Sequence, residues 1–200
     1  MRFGAVIAAA GLSGRMGVFK PLLPLGHSTF IERIVSTLLD GGAEEIAVVT
    51  GRDAPLIEKV LAGNSHIHFI YNKDFGHTEM FYSVSLGLGF MADRADSIFF
   101  TPVDVPLFGA QTVHRLGAFL QNSDMHIIAP AYHGKTGHPV AIRSRAVKEL
   151  INYNGHDGLK GAIASYSGPT GVLEADDTGI LYDFDTPEDY RLAVNPVLQG

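Results

Sequence analysis

Residues 9–20 read Ala9-Ala10-Gly11-Leu12-Ser13-Gly14-Arg15-Met16-Gly17-Val18-Phe19-Lys20, directly behind an apolar run of strand length, Phe3–Ala9. Gly11, Gly14 and Gly17 can adopt backbone angles closed to other residues and let main-chain N–H groups approach a ligand, while Ser13 adds a hydroxyl donor. Arg15 offers a planar fork and Lys20 a compact point charge, a pairing that suits a polyphosphate whose leaving group is pyrophosphate. The spacing GLSGRMG is not the GxGxxG of a dinucleotide fingerprint, and Lys20 is followed by Pro21 where a Walker A loop needs Ser or Thr. On its glycines alone the stretch also reads as an ordinary strand-to-helix connection.

Outward from this loop, strands alternate with amphipathic helices, the pattern of a mostly parallel sheet covered on both faces. The spacing predicts a first helix capped by Ser28 or Thr29, with Glu32 in its first turn and Gly41 and Gly42 at its end. Phe30, Ile31, Ile34, Val35, Leu38 and Leu39 recur at helical spacing and would pack on the sheet. Ile46–Thr50 and Ile67–Tyr71 read as strands flanking a helix at Pro55–Leu61, Phe81–Met91 as a helix, and Ser97–Thr101 as a strand buried on both faces. That last strand ends just before Asp104, at the sheet edge where open α/β folds collect ligand groups. If its neighbour is the first strand, Asp104 faces the phosphates. A carboxylate there calls for an intervening cation, and magnesium, which prefers oxygen ligands, is the natural one.

The 200 residues are 46% hydrophobic and 18% charged, which excludes a disordered chain. No composition shift marks a linker, so residues 1–200 are expected to form one domain. A net charge of −6 argues against nucleic acid as a partner. The absence of cysteine excludes a disulfide framework, a cysteine nucleophile and thiolate metal ligation, and fits a cytoplasmic protein. No apolar run reaches bilayer length, and MRFGAVIAAAG, which imitates a short signal peptide, is read as the strand that holds the glycine loop. His66 and His68 form an HxH pair with no evident third zinc ligand and read as surface histidines of an edge strand.

Ala9–Lys20 resembles the MobA-like NTP transferases, the nucleotidyltransferase family that includes molybdenum cofactor cytidylyltransferase. Its signature runs AAG, any residue, S, any residue, RMG, two residues, K. Three further matches follow in order: VDVP at Val103–Pro106, where the family usually has GDMP; GHP at Gly137–Pro139; and DFDTPED at Asp183–Asp189. The resemblance spans nearly the whole chain and implies an α/β Rossmann-like nucleotidyltransferase fold, a mostly parallel three-layer sandwich. It implies a nucleotide site made of Ala9, Ala10, Gly11, Ser13, Gly14, Arg15, Lys20, Ser83 and Asp104, with Arg15, Lys20 and Asp104 catalytic. Asp104 and Asp185 would ligate Mg2+, with Mn2+ as the alternative ion. Gly137, His138 and Asp157 would lie beside the second substrate.

The implied reaction is transfer of CMP from CTP, or of a nucleotidyl group from another NTP, to a molybdopterin-type phosphate, with a molybdenum hydroxylase as recipient of the product. It would proceed by in-line attack without a covalent enzyme intermediate. Two departures, VDVP for GDMP and Glu79 for a usual glycine, leave room for another acceptor. The alternatives are a cytidylyl or guanylyl transferase acting on a sugar or polyol phosphate, and a non-catalytic carrier of the pterin cofactor. A nicotinamide dehydrogenase is disfavoured by the glycine spacing.

Several of these residues also have plain structural readings. Asp104 can form a turn ahead of Pro106, and Asp185 or Thr186 can cap a helix starting at Pro187. Ser83 can satisfy backbone donors at a helix start, His138 can fix a loop before Pro139, and Asp157 can cap the helix that follows it.

Overall fold

The computed structural model describes residues 1–11 and 18–191. In chain order the elements are β1 (Phe3–Ala8), β2 (Pro24–Leu25), β3 (Ser28–Thr29), α1 (Phe30–Asp40), β4 (Glu45–Thr50), α2 (Ala54–Val60), β5 (Ile67–Tyr71), α3 (Met80–Ala92) and β6 (Ser97–Pro102). They continue with α4 (Ala110–Gln121), β7 (Ile127–Tyr132), β8 (Lys135–Thr136), β9 (Val140–Arg143), α5 (Ser144–Ile151), α6 (Gly158–Ala164) and β10 (Thr170–Glu174). The main sheet runs β10-β7-β9-β6-β1-β4-β5, with β8 paired to β7. β1 is parallel to β4 and β6, β4 to β5, and β10 to β7, while β9 lies antiparallel between β6 and β7. This is the mostly parallel α/β sheet that the alternation of strands and helices predicts.

The central strand is apolar on both faces because both are covered. β1 turns Ala5 and Ile7 to one side, where they meet Ile31, Ile34 and Leu38 of α1 and Val113 and Leu116 of α4. It turns Val6 and Ala8 to the other, against Val84 and Leu88 of α3 and Val147 and Leu150 of α5. Gly87 makes the second contact possible, because a Cβ there would lie 2.5 Å from a Val6 methyl. Three layers result, with the core on both sides of the sheet.

The first helix starts where the sequence says. Thr29 accepts from the Glu32 backbone N–H, and the Glu32 carboxylate accepts from Thr29, a complete capping box. Of the residues expected on the sheet, Phe30 takes another direction: it packs with Leu25 and with Phe184, whose ring centroid is 4.9 Å away. Tyr190 joins the group at 5.9 Å from Phe30 and donates its hydroxyl to the Pro24 carbonyl. This aromatic cluster pins residues 184–190 beside α1. β5 is an edge strand, as the histidine pair suggests. His66 precedes it and bonds the Glu44 carbonyl, whereas His68 meets the Glu45 carboxylate, so the two rings share no ligand. No described helix is long and apolar enough to cross a membrane.

Candidate active site

β1 and β6 end side by side, and the Val103 N–H donates to the Ala8 carbonyl, so the segments leaving them share one sheet edge. Asp104 stands in the turn after β6, where its backbone carbonyl accepts from Phe184 N–H at 3.0 Å. With Phe184 buried among Leu25 and Phe30, that bond sets Asp185 next to Asp104. The Lys20 side chain enters from a 3-10 turn, Lys20–Leu22, and its Nζ lies 3.1 Å from Asp104 Oδ2 and 2.9 Å from Asp185 Oδ1. Burial alone would lower the Lys20 pKa, but the hydrogen bonds and charges of Asp185 and Asp104 outweigh it and raise the value. Lys20 is therefore cationic at neutral pH and bridges two carboxylates.

Asp183 completes an acidic group that the sequence reading missed. One carboxylate oxygen from each of Asp104, Asp183 and Asp185 lies within 4.8 Å of the others. The signal was the alternation Asp183-Phe184-Asp185: Phe184 is buried while both neighbouring carboxylates stay outside the core. The capping alternative is settled in favour of Thr186. Its Oγ1 accepts from Asp189 N–H, and the Asp189 carboxylate accepts from both the N–H and the hydroxyl of Thr186 at 2.7 Å. Those bonds hold Asp189 below the usual carboxylate range. Asp185 is thereby left to the cluster.

A cleft of about 280 Å³ lies over this group and brings together Ala10, Gly11, Lys20, Ser83, Asp104 and Asp185 from the expected set. Ala9 does not line it; its side chain joins the core on the α1 side and its N–H donates to the Val49 carbonyl. Ser13, Gly14 and Arg15 lie outside the described residues. Ser83 does not serve backbone donors: its hydroxyl accepts from the Asn72 side chain at 2.9 Å.

A second, larger cleft of about 790 Å³ holds Gly137, His138 and Asp157, and meets the first along Glu79, Met80 and Pro102. Its walls are largely apolar, with Phe81, Val84, Phe100, Ile127, Val140 and Ile163. Gly137 has to be glycine, since a Cβ there would sit 2.2 Å from the Ile180 carbonyl oxygen. The His138 backbone N–H donates to that same carbonyl, its bond to Pro139 is cis, and its ring stands edge-on to Phe100 at 5.7 Å. Burial lowers the His138 pKa against the opposing pull of the Phe100 backbone and the Asp104 charge, so the ring is neutral at pH 7. The backbone thus fixes the loop while the ring borders the cleft. Asp157, at φ 66°, makes no capping bond to α6 and lines the cleft beside Lys160. Lys135 lies exposed on β8 and, unlike its neighbour Thr136, does not line the larger cleft.

A cleft lined by Lys20, Asp104 and Asp185, with Asp183 beside them, opening into a wider, largely apolar cleft, is a layout for group transfer between two ligands. Residues 5–170 match the MobA-like NTP transferase domain, and the chain belongs to that family of nucleotidyltransferases. It is 26% identical over 188 residues to the molybdenum cofactor cytidylyltransferase of Escherichia coli K12, covering 94% of this chain and 93% of that one. Its fold is shared by a nucleotidyl transferase from Methanothermobacter, at TM-score 0.83 and 24% identity over 99% and 98% of the two chains. It is shared too by Rv0371C of Mycobacterium tuberculosis in complex with manganese, at TM-score 0.78 and 21% identity over 98% and 99%.

Proposed function

We propose that this nucleotidyltransferase moves CMP from CTP to the phosphate of molybdenum-bearing molybdopterin. An acceptor phosphate oxygen attacks the α-phosphorus in line, the α–β phosphoanhydride bond breaks, and pyrophosphate leaves. The observation that carries the reading is Lys20 set between Asp104 and Asp185, beside Asp183, at the mouth of a cleft that continues into an apolar one. The relationship to the Escherichia coli cytidylyltransferase over almost the full length of both chains supports the choice of CTP and of a pterin acceptor.

The smaller cleft would take the nucleotide. Ala10, Gly11 and Ser83 would bound the nucleoside, and the loop carrying Ser13, Gly14 and Arg15 would cover the phosphates. Arg15 and Lys20 would neutralise the departing pyrophosphate, which needs preorganised positive charge rather than a nucleophilic side chain. Three clustered carboxylates are a hard oxygen donor set suited to a divalent cation, and Asp104, Asp183 and Asp185 would hold magnesium or manganese. When bound, such an ion supplies charge to the phosphate oxygens. Lys20 provides the positive charge between these carboxylates in the nucleotide-free protein, and would turn its Nζ to the phosphates when the nucleotide enters.

The larger cleft would take the acceptor. Its apolar walls, including Phe81 and Phe100, suit a flat heterocycle better than a sugar or polyol, whose hydroxyls would want partners throughout. We take residues 1–200 to act as one such domain, in the cytoplasm, delivering its product to a molybdenum hydroxylase. The test is pyrophosphate release with CTP, GTP or ATP and magnesium, in the presence of molybdenum-loaded molybdopterin, a sugar phosphate or a polyol phosphate. Release with CTP and the pterin alone is expected. Release only with a sugar or polyol phosphate would replace the acceptor, and pterin binding without any release would indicate a carrier.

A further inference from the structure

We infer that Asn72 is a positioning residue that fixes the hydrogen-bonding polarity of Ser83, leaving the Ser83 hydroxyl as a donor for an acceptor atom of the bound nucleotide. The inference rests on the reading of the smaller cleft as the nucleotide site. Asn72 follows β5 directly, is 1% exposed, and is held by its own N–H to the Thr50 carbonyl. The orientation of its side-chain amide follows from its partners. The Asp74 backbone N–H can only donate, and it lies 2.9 Å from Asn72 Oδ1. Nδ2 therefore faces the other way, where it donates to Ser83 Oγ at 2.9 Å and to Thr78 Oγ1 at 3.3 Å. Thr78 in turn gives its own hydrogen to the Asp74 carbonyl at 2.9 Å.

The bonds branch at Nδ2: one arm returns through Thr78 to the Asp74 carbonyl, and the other ends on Ser83. Having accepted from Asn72, the Ser83 hydroxyl retains one hydrogen, and none of the described residues accepts it. Ser83 is 5% exposed and borders the cleft. A donor so placed is best satisfied by an acceptor oxygen or nitrogen of the ligand, and a ligand with no acceptor there leaves that hydrogen bond unmade. Asn72 thus contributes to selection without touching the nucleotide, by deciding what Ser83 has to offer.

Asn72→Asp tests this because the carboxylate still accepts from Asp74 N–H but cannot donate, so the Ser83 hydrogen is drawn to it and away from the cleft. The dissociation constant of MgCTP is measured by equilibrium dialysis for the wild type, Asn72→Asp, Ser83→Ala and the double variant, with thermal midpoints recorded alongside. Each single variant is expected to weaken binding about tenfold, the effect of one hydrogen bond. In the Ser83→Ala background Asn72→Asp should add less than about threefold, because the two changes remove the same interaction. An equal loss in both backgrounds, as a general loop defect or charge repulsion would give, overturns the inference, as does unchanged binding by Asn72→Asp. Should Asn72→Asp fail to fold, Ser83→Ala alone decides, and unchanged MgCTP binding by that variant overturns it. A wild type that binds no nucleoside triphosphate would overturn the nucleotide reading, and this inference with it.

Discussion

The two clefts meet along Glu79, Met80 and Pro102, yet one is organised by charge and the other by shape. In the smaller, Lys20, Asp104 and Asp185 come from distant parts of the chain and meet within 3.1 Å, so each group's environment depends on the others. In the larger, apolar side chains of α3, β6, β7, β9 and α6 form the walls and charged groups are few. Electrostatic sites fail when one member is lost, because the remaining charges are left unbalanced. Apolar sites lose affinity by increments of buried surface. The contrast predicts steep, coupled effects in one cleft and graded, separable effects in the other.

The largest effect should come from Asp104→Asn, which ought to cut turnover about 10²-fold or more while leaving the fold intact. A folded variant turning over at the wild-type rate would remove the charge-organised description of the smaller cleft. Lys20→Met comes next. Losing the cation between Asp104 and Asp185 should lower stability by about 2 kcal/mol, less than for a fully buried pair because the Asp185 side chain is 31% exposed. Calorimetry should then show a midpoint about 4–8 °C lower. Added Mn2+ should recover part of that loss and bind the variant more tightly than the nucleotide-free wild type, which equilibrium dialysis would read.

The sign of the linked pH effect follows from the raised Lys20 pKa. The stabilisation from its ion pairs is fully present below the ordinary lysine value of 10.5 and is lost as pH rises through the higher folded value. Lys20→Met should lack that alkaline loss in a pH series of thermal midpoints. In the apolar cleft, Phe81→Ala should raise the acceptor KM about tenfold while leaving the MgCTP dissociation constant within about twofold. If both constants moved together, the clefts would not be separable.

The smallest effect compares two helix caps. Thr29→Ala and Thr186→Ala should each cost about 1 kcal/mol, or 2–4 °C. Only the second should also weaken Mn2+ binding, because Thr186 adjoins Asp185.

Local chemistry was legible in the sequence wherever it was carried by neighbours along the chain. The capping box at Thr29 and Glu32, the continuous apolar strands and the glycine-rich exit from β1 each involve residues a few positions apart. What escaped depended on partners far away. Lys20 looked like a phosphate ligand, and its place between Asp104 and Asp185 appears only once the segment after β10 is brought back to β6. Asp183 was hidden for the same reason, since its alignment with the others depends on Phe184 being drawn inward by Phe30. Phe30 itself fitted the helical period and still faces this cluster rather than the sheet, because periodicity gives a face and not the neighbour that covers it. Asn72 stands in the sequence only as the residue after the strand Ile67–Tyr71; its amide meets Ser83 eleven residues on only when the intervening loop is folded.

The clasp formed by Phe30, Phe184 and Tyr190 also sets an order of events during synthesis on the ribosome. Every described strand of the main sheet has emerged by Glu174, whereas Asp183 and Asp185 follow it. A nascent chain cut at residue 182 would already own all the described strands of the sheet and the turn bearing Asp104, but only one of the three aspartates. A carboxylate group able to hold a metal therefore forms only after the sheet, when residues 183–190 dock on the first helix. Under the proposed mechanism such a chain would have a scaffold and no means of spending nucleotide.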